Sequence, residues 1–135
     1  MTELFDGPPA IHRWPDETWA AGYVAQVREA GWGTRPVTTT LRWDKRGFLA
    51  ACRTAFGFPD WFGMNWDALA DSLSDVPVPT TGLVVPWRGW GAMARMYPPD
   101  FATAVDILGD WVTGQPAGRT VLVSLVGSGP DVAVS

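Results

Sequence analysis

GLVVPW, residues 82–87, and RTVLVSLV, residues 119–126, decide the fold. Each is a short, continuous apolar run, the pattern of a strand covered on both faces rather than on one. Pro86 has no N–H for a ladder, so the first of these strands is expected to end there. Between them, Pro98-Pro99-Asp100 opens a helix that runs to about Thr113, with Phe101, Ala104, Val105, Leu108 and Val112 on one apolar face. Residues 89–97 leave room for a shorter helix.

Upstream, PVTTTLRW (36–43) is rich in β-branched residues and reads as another strand. Asp44 then caps a helix whose apolar positions are Phe48, Leu49, Cys52 and Phe56, and Gly57 ends it. A turn, FPDWFGMN, leads to Asn65 as the cap of a helix from about Trp66 to Asp75, followed by the proline-bearing VPVPTTG. At the N-terminus, PPAIHRW (8–14) reads as a strand. Pro15-Asp16-Glu17 opens a helix through Trp19, Tyr23, Val24 and Val27 to Gly31. Strands that alternate with helices imply an α/β fold: a small parallel sheet of three strands, or four with the N-terminal one, packed with helices. Residues 1–34 read as a strand and helix added to a domain spanning 35–128, and residues 129–135 as a loose tail.

The composition sets bounds on function. Apolar residues make up 47% and charged residues 18%, which is a folded globule rather than a disordered chain. Nine tryptophans are many for 135 residues, so some belong to the core while others are free to mark a contact surface. The first thirty residues lack a basic n-region and an apolar h-region, and no apolar run reaches about 18 residues. With a single cysteine, Cys52, unable to form an internal disulfide, the expected compartment is the cytoplasm, with no membrane partner.

A net charge of −4 argues against nucleic acid as a partner, since binders of phosphate concentrate lysine and arginine. The imbalance is local. Between Arg53 and Arg88 the chain carries Asp60, Asp67, Asp71 and Asp75 and no basic residue, while the remainder holds ten acidic and ten basic residues. On a helix, Asp67, Asp71 and Asp75 at i, i+4 and i+8 fall within a strip about 80° wide. Ala68, Leu69, Ser72, Leu73 and Val76 face the other way. A solvated acidic face is the ordinary reading of such a run. Yet Asp75 near the C-terminal end opposes the helix dipole, and each like-charged pair costs roughly 0.2–0.5 kcal/mol. Carboxylates clustered beside Trp61, Phe62 and Trp66 suit a basic partner surface.

FPDWFGMNWDALADSL, residues 58–73, resembles the barstar family motif, in which a proline, an acidic residue, two aromatics, Gly, Asn and then D-A-L-x-D-x-L follow in register. The resemblance extends from about Val37 to Val126. It implies an inhibitor without enzymatic activity or cofactor, monomeric when free, in which a three-stranded parallel sheet supports a helix and its preceding loop. That helix and loop would enter the basic active site of a barnase-like extracellular ribonuclease. By this resemblance Asp71 matches the aspartate in the phosphate-binding site, Asp67 a second interface aspartate, Trp61 an interface tyrosine, and Asn65 the asparagine opening the helix. Ser74 matches an interface threonine, and Asp110 aligns with a glutamate on the later helix. Ala70 stands where the family has an interface tryptophan, and Asp75 and Val76 replace a glycine and a tryptophan. Those departures leave room for a different ribonuclease, or for another toxin with a basic cleft.

Other chemistry finds little support. D-x-x-x-D lacks the histidine, lysine or further oxygen ligands of catalytic or cation sites. His12 and Cys52 are the single residues of their types, which gives neither a nucleophile pair nor a metal cluster. GSGP (127–130) lacks the lysine and the following helix of a phosphate loop and reads as a chain-end turn. Trp87-Arg88-Gly89-Trp90 reads either as a surface patch or as packing of a short helix.

Overall fold

The computed structural model describes residues 11–130. Its centre is two parallel strands, β4 (Leu83–Arg88) and β5 (Val121–Val126), paired from Leu83↔Val121 to Arg88↔Val126. All of their residues except Arg88 are buried, as continuous apolar runs require. β1 (Ile11–Trp14) extends the sheet beyond β5, with Ile11 opposite Val123. On the other side, β4 pairs with two short strands, β2 (Gly33–Thr34) and β3 (Val37–Thr38), so five strands occupy four positions. The α/β class with a small parallel sheet is as the sequence indicates, and the broken edge is an addition to it.

Proline explains the break. β4 continues past Pro86 to Arg88, which corrects the expectation that the strand ends there. The carbonyls of Gly82, Val84 and Arg88 accept from Gly33, Arg35 and Thr39, so even-numbered residues of β4 face the β2/β3 edge. The missing N–H of Pro86 therefore points to that edge and not to β5. The registers Thr34↔Val84 and Val37↔Trp87 place Pro36 level with Pro86. Pro86 therefore leaves a gap in the ladder at this edge, while Pro36, next to the donor Arg35, points its missing N–H away from β4 to the open side, where no ladder bond is lost. The strand expected over 36–43 stops at Thr38, because β4 ends at Arg88 and offers residues 40–43 nothing to pair with.

The helices are α1 (Glu17–Glu29), α2 (Lys45–Phe56), α3 (Trp66–Leu73), α4 (Trp90–Met96) and α5 (Pro98–Thr113). Asp16 and Asp44 cap α1 and α2 by accepting from the N–H groups of Trp19 and Gly47, each at 2.8 Å. One face of the sheet, with Ile11, Leu83, Val85, Trp87, Val121, Val123 and Leu125, packs into a core with residues of α2, α3, α4 and α5. The opposite face, with Trp14, Val84, Leu122 and Val126, packs with Ala20 and Tyr23 of α1. There Trp14, Trp19 and Tyr23 form an aromatic cluster with ring centroids 5.0–5.4 Å apart. Glu17 of α1 ties this layer to β4 through two hydrogen bonds from Arg88, at 2.6 and 2.7 Å. Gly82, at φ 141°, lets the Trp32 ring lie against the backbone where a Cβ would come within 2.6 Å of it.

Trp87 and Trp90 are fully buried, which settles their segment as packing. Their indole N–H groups donate to Thr39 Oγ1 and to the Val126 carbonyl. Gly129 sits on the Trp90 ring, where a Cβ would overlap it. Residues 8–10 of the expected first strand and residues 131–135 of the expected tail lie outside the described residues. No helix among the described residues is long and apolar enough to cross a membrane.

Candidate partner-binding face

The loop before α3 alternates anchors with exposed positions. Phe62 is buried and packs on Phe58, at 4.9 Å between centroids, while its N–H donates to the Pro59 carbonyl. Its neighbour Trp61 is left 85% exposed. A large aromatic held in water by a fixed loop is a ready contact residue. Asn65 Oδ1 accepts from the Ala68 N–H at 2.8 Å and starts α3, as its cap position predicts.

α3 buries Leu69 and Leu73 and exposes Asp67, Ala70, Asp71 and Ser74. Asp67 and Asp71 are one turn apart, about 5–6 Å between Cβ atoms. The helix is shorter than expected and ends at Leu73; the next N–H groups, of Asp75 and Val76, donate to Ser72 and Leu73 in a tighter turn, and Pro77 beyond them has no N–H to carry the helix on. The Ser74 hydroxyl donates to the Asp71 carbonyl at 2.5 Å and closes that last turn. Asp75 therefore lies just beyond the helix, exposed, rather than on its third turn. Val76 is 9% exposed and packs into the core, so its side chain is not offered on the exposed face beside its neighbours. Among the proposed contact residues it is the one the fold turns inward.

α5 packs against α3 and places Asp110, exposed, across a groove from Ala70 and Ser74. Asp110 is in the last turn of α5, and neither α3 nor α5 carries a basic residue in its last turn. Both helices thus leave a dipole-compensating cation out where one would stabilise them, and put carboxylates nearby instead. Among the described residues, Asp67, Asp71, Asp75 and Asp110 take part in no ion pair. Lys45 is the nearby cation, with its Nζ 5.2 Å from the Trp66 ring. The result is an anionic surface, fixed by capping and core contacts, whose carboxylates make no ion pair among the described residues.

Sequence reasoning missed the groove itself. It is about 360 Å³, lined by Leu73 from α3, by Ile107 and Trp111 from α5, and by Gln115 and Pro116 beyond it. The signal available was the i, i+4 pair Ile107 and Trp111, which widens the apolar face of α5 toward a neighbour. Elsewhere, burial pushes the Cys52 thiol well above its usual range and keeps it unreactive. Burial likewise holds the His12 imidazole below 6.5. Among the described residues, no group of three or more histidine, cysteine or acidic side chains is placed to hold a metal ion.

No curated protein matches the chain. The family Barstar (barnase inhibitor) matches residues 37–125, which carry α2, the acidic helix α3, both central strands, α4 and α5. With more than half of its length matched, and with the parallel α/β architecture in place, the chain belongs to that family.

Proposed function

We propose that the protein is an intracellular inhibitor of a barnase-like ribonuclease, an immunity protein that blocks the enzyme's active site with α3 and the loop before it. The observation that carries this reading is the set of exposed, unpaired carboxylates on a helix fixed to the family scaffold. A ribonuclease cleft must be basic to hold RNA phosphates, and carboxylates at one-turn spacing present comparable negative charge to it. Asp71 is the central contact. Asp67 and Asp75 flank it, Asp110 adds charge from α5, and Trp61, Asn65, Ala70 and Ser74 complete the contact surface. The protein itself performs no catalysis. It acts in the cytoplasm as a monomer and neutralises the ribonuclease during or before secretion.

A second reading keeps the acidic face and changes the target to another toxin with a basic cleft. Ala70 and Asp75 favour it, because they leave the middle and end of the face flatter and more acidic than the family pattern. Titration of a purified barnase-like ribonuclease with the protein, and with Asp67→Ala and Asp71→Ala, tests the first reading. Inhibition by the wild type, and its loss in Asp71→Ala, are expected. A nuclease left active at micromolar inhibitor would remove the ribonuclease reading and leave the second.

A further inference from the structure

Ala70 lies beside the aspartate stripe, on the side of α3 that faces α5, and it carries no more than a methyl group. Behind it the surface opens into the groove between α3 and α5. Its floor is apolar: Leu73 is 1% exposed and Trp111 8%. Of the polar side chains around it, Ser74 and Gln115 are committed within the chain, whereas the Trp111 indole N–H is buried without a hydrogen-bond partner. Ser74 donates to the Asp71 carbonyl at 2.5 Å, and Gln115 Nε2 donates to the Trp111 carbonyl at 3.1 Å. Asp110 is exposed, so its charge belongs to the rim and remains hydrated. A cation pushed to the floor would lose water and find no carboxylate there, whereas a ring would find Leu73, Ile107 and Trp111. The volume, about 360 Å³, is near the lower end for ligand pockets, roughly 300 Å³, and suits one bulky side chain.

We propose that this groove receives a single aromatic side chain of the partner protein, and that Ala70, by leaving the entrance open, decides which partner the acidic face accepts. The inference rests on the reading of that face as an inhibitory surface. It divides the work within the surface: the carboxylates attract any basic cleft, and the groove selects those that project a ring beside it. Aromatic anchors seated in pockets near the centre of an interface commonly dominate its energetics.

The test uses the full chain and the tyrosine side-chain analogue p-cresol, with n-butylguanidinium as the arginine analogue. The reporter is the Trp111 indole N–H in ¹⁵N spectra, assigned with Trp111→Phe. A saturable shift with p-cresol is expected, retained in Asp71→Ala and about tenfold or more weaker in Ala70→Trp, whose side chain fills the entrance. A response to n-butylguanidinium equal to that of p-cresol overturns the aromatic occupant. Failure of p-cresol to saturate, or an unchanged response in Ala70→Trp, overturns the site. Because no ribonuclease is present, these outcomes are separate from those of the inhibition assay.

Discussion

The two faces of the sheet are built from different parts of the chain and are used differently. The face under α2, α3, α4 and α5 lies almost wholly within the family-matched residues 37–125, and it carries the acidic helix and its groove. The face under α1 owes its cover to residues outside the match: Trp14, Ala20 and Tyr23, with Trp19 and Trp32 packed beside them. One layer supports a surface of uncompensated charge. The other is a single helix thick and seals Val84, Leu122 and Val126 with aromatic rings. The contrast teaches that an acidic helix mildly unfavourable in itself can be kept where its buried face and the shared strands pack into a core covered on both sides. Residues 11–34 contribute most of that layer, while Ile11 packs into the core on the opposite face.

Four experiments break or sharpen this division, from the largest effect to the smallest. Trp14→Ala should remove about 3–5 kcal/mol of stability and lower a single melting transition, since Trp14 packs on strands shared with the other layer. Two separate transitions in denaturant would show instead that the layers fold independently. Asp71→Ala should do the reverse. Binding to a barnase-like ribonuclease weakens by about 2–5 kcal/mol, the range for buried interfacial charge pairs, the barnase–barstar pair among the measured cases. Its thermal stability stays within about 0.5 kcal/mol of wild type, because the side chain is exposed and unpaired. A comparable loss of stability would move Asp71 from the binding surface into the scaffold.

Asn65→Ala should affect both properties modestly. Losing the cap on α3 costs about 1 kcal/mol of stability, and the freed first turn loosens Asp67. Calorimetry together with the inhibition constant reads both effects, and an unchanged melting temperature would contradict the cap. The smallest effect concerns the α1 layer and acid. His12 is buried and its imidazole is held below 6.5, so the unfolded chain takes up the proton first. Stability contributed by the neutral form is present above pH 6.5, falls as pH drops through that value, and levels off below the folded-state pKa. His12→Gln should flatten this part of the stability profile. A profile equally steep in the variant would assign it to the carboxylates.

Much of the architecture was legible because it depends on local patterns. Continuous apolar runs placed β4 and β5, and capping residues placed the starts of α1, α2 and α3, each confirmed by a side-chain bond to a backbone N–H. The exposed stripe also followed from spacing, since Asp67 and Asp71 share a face of any helix that contains them. Asp75 did not follow, because where α3 stops depends on Pro77 and on the Ser74 hydroxyl closing the turn. Nor did β2, a two-residue strand with no periodicity of its own, defined by pairing with β4.

By itself, then, the sequence determined the class of fold, the ends of its main helices, the concentration of negative charge and the motif of residues 58–73. These are properties of neighbours along the chain, fixed by side-chain period, capping chemistry and composition. Tertiary structure decided three further things: that Pro86 turns its missing N–H to the β2/β3 edge, that Val76 turns inward, and that Ala70 and Asp110 line one groove from two helices. Each concerns groups far apart in sequence or set by the packing of whole elements, and no local periodicity encodes the distance between two helices.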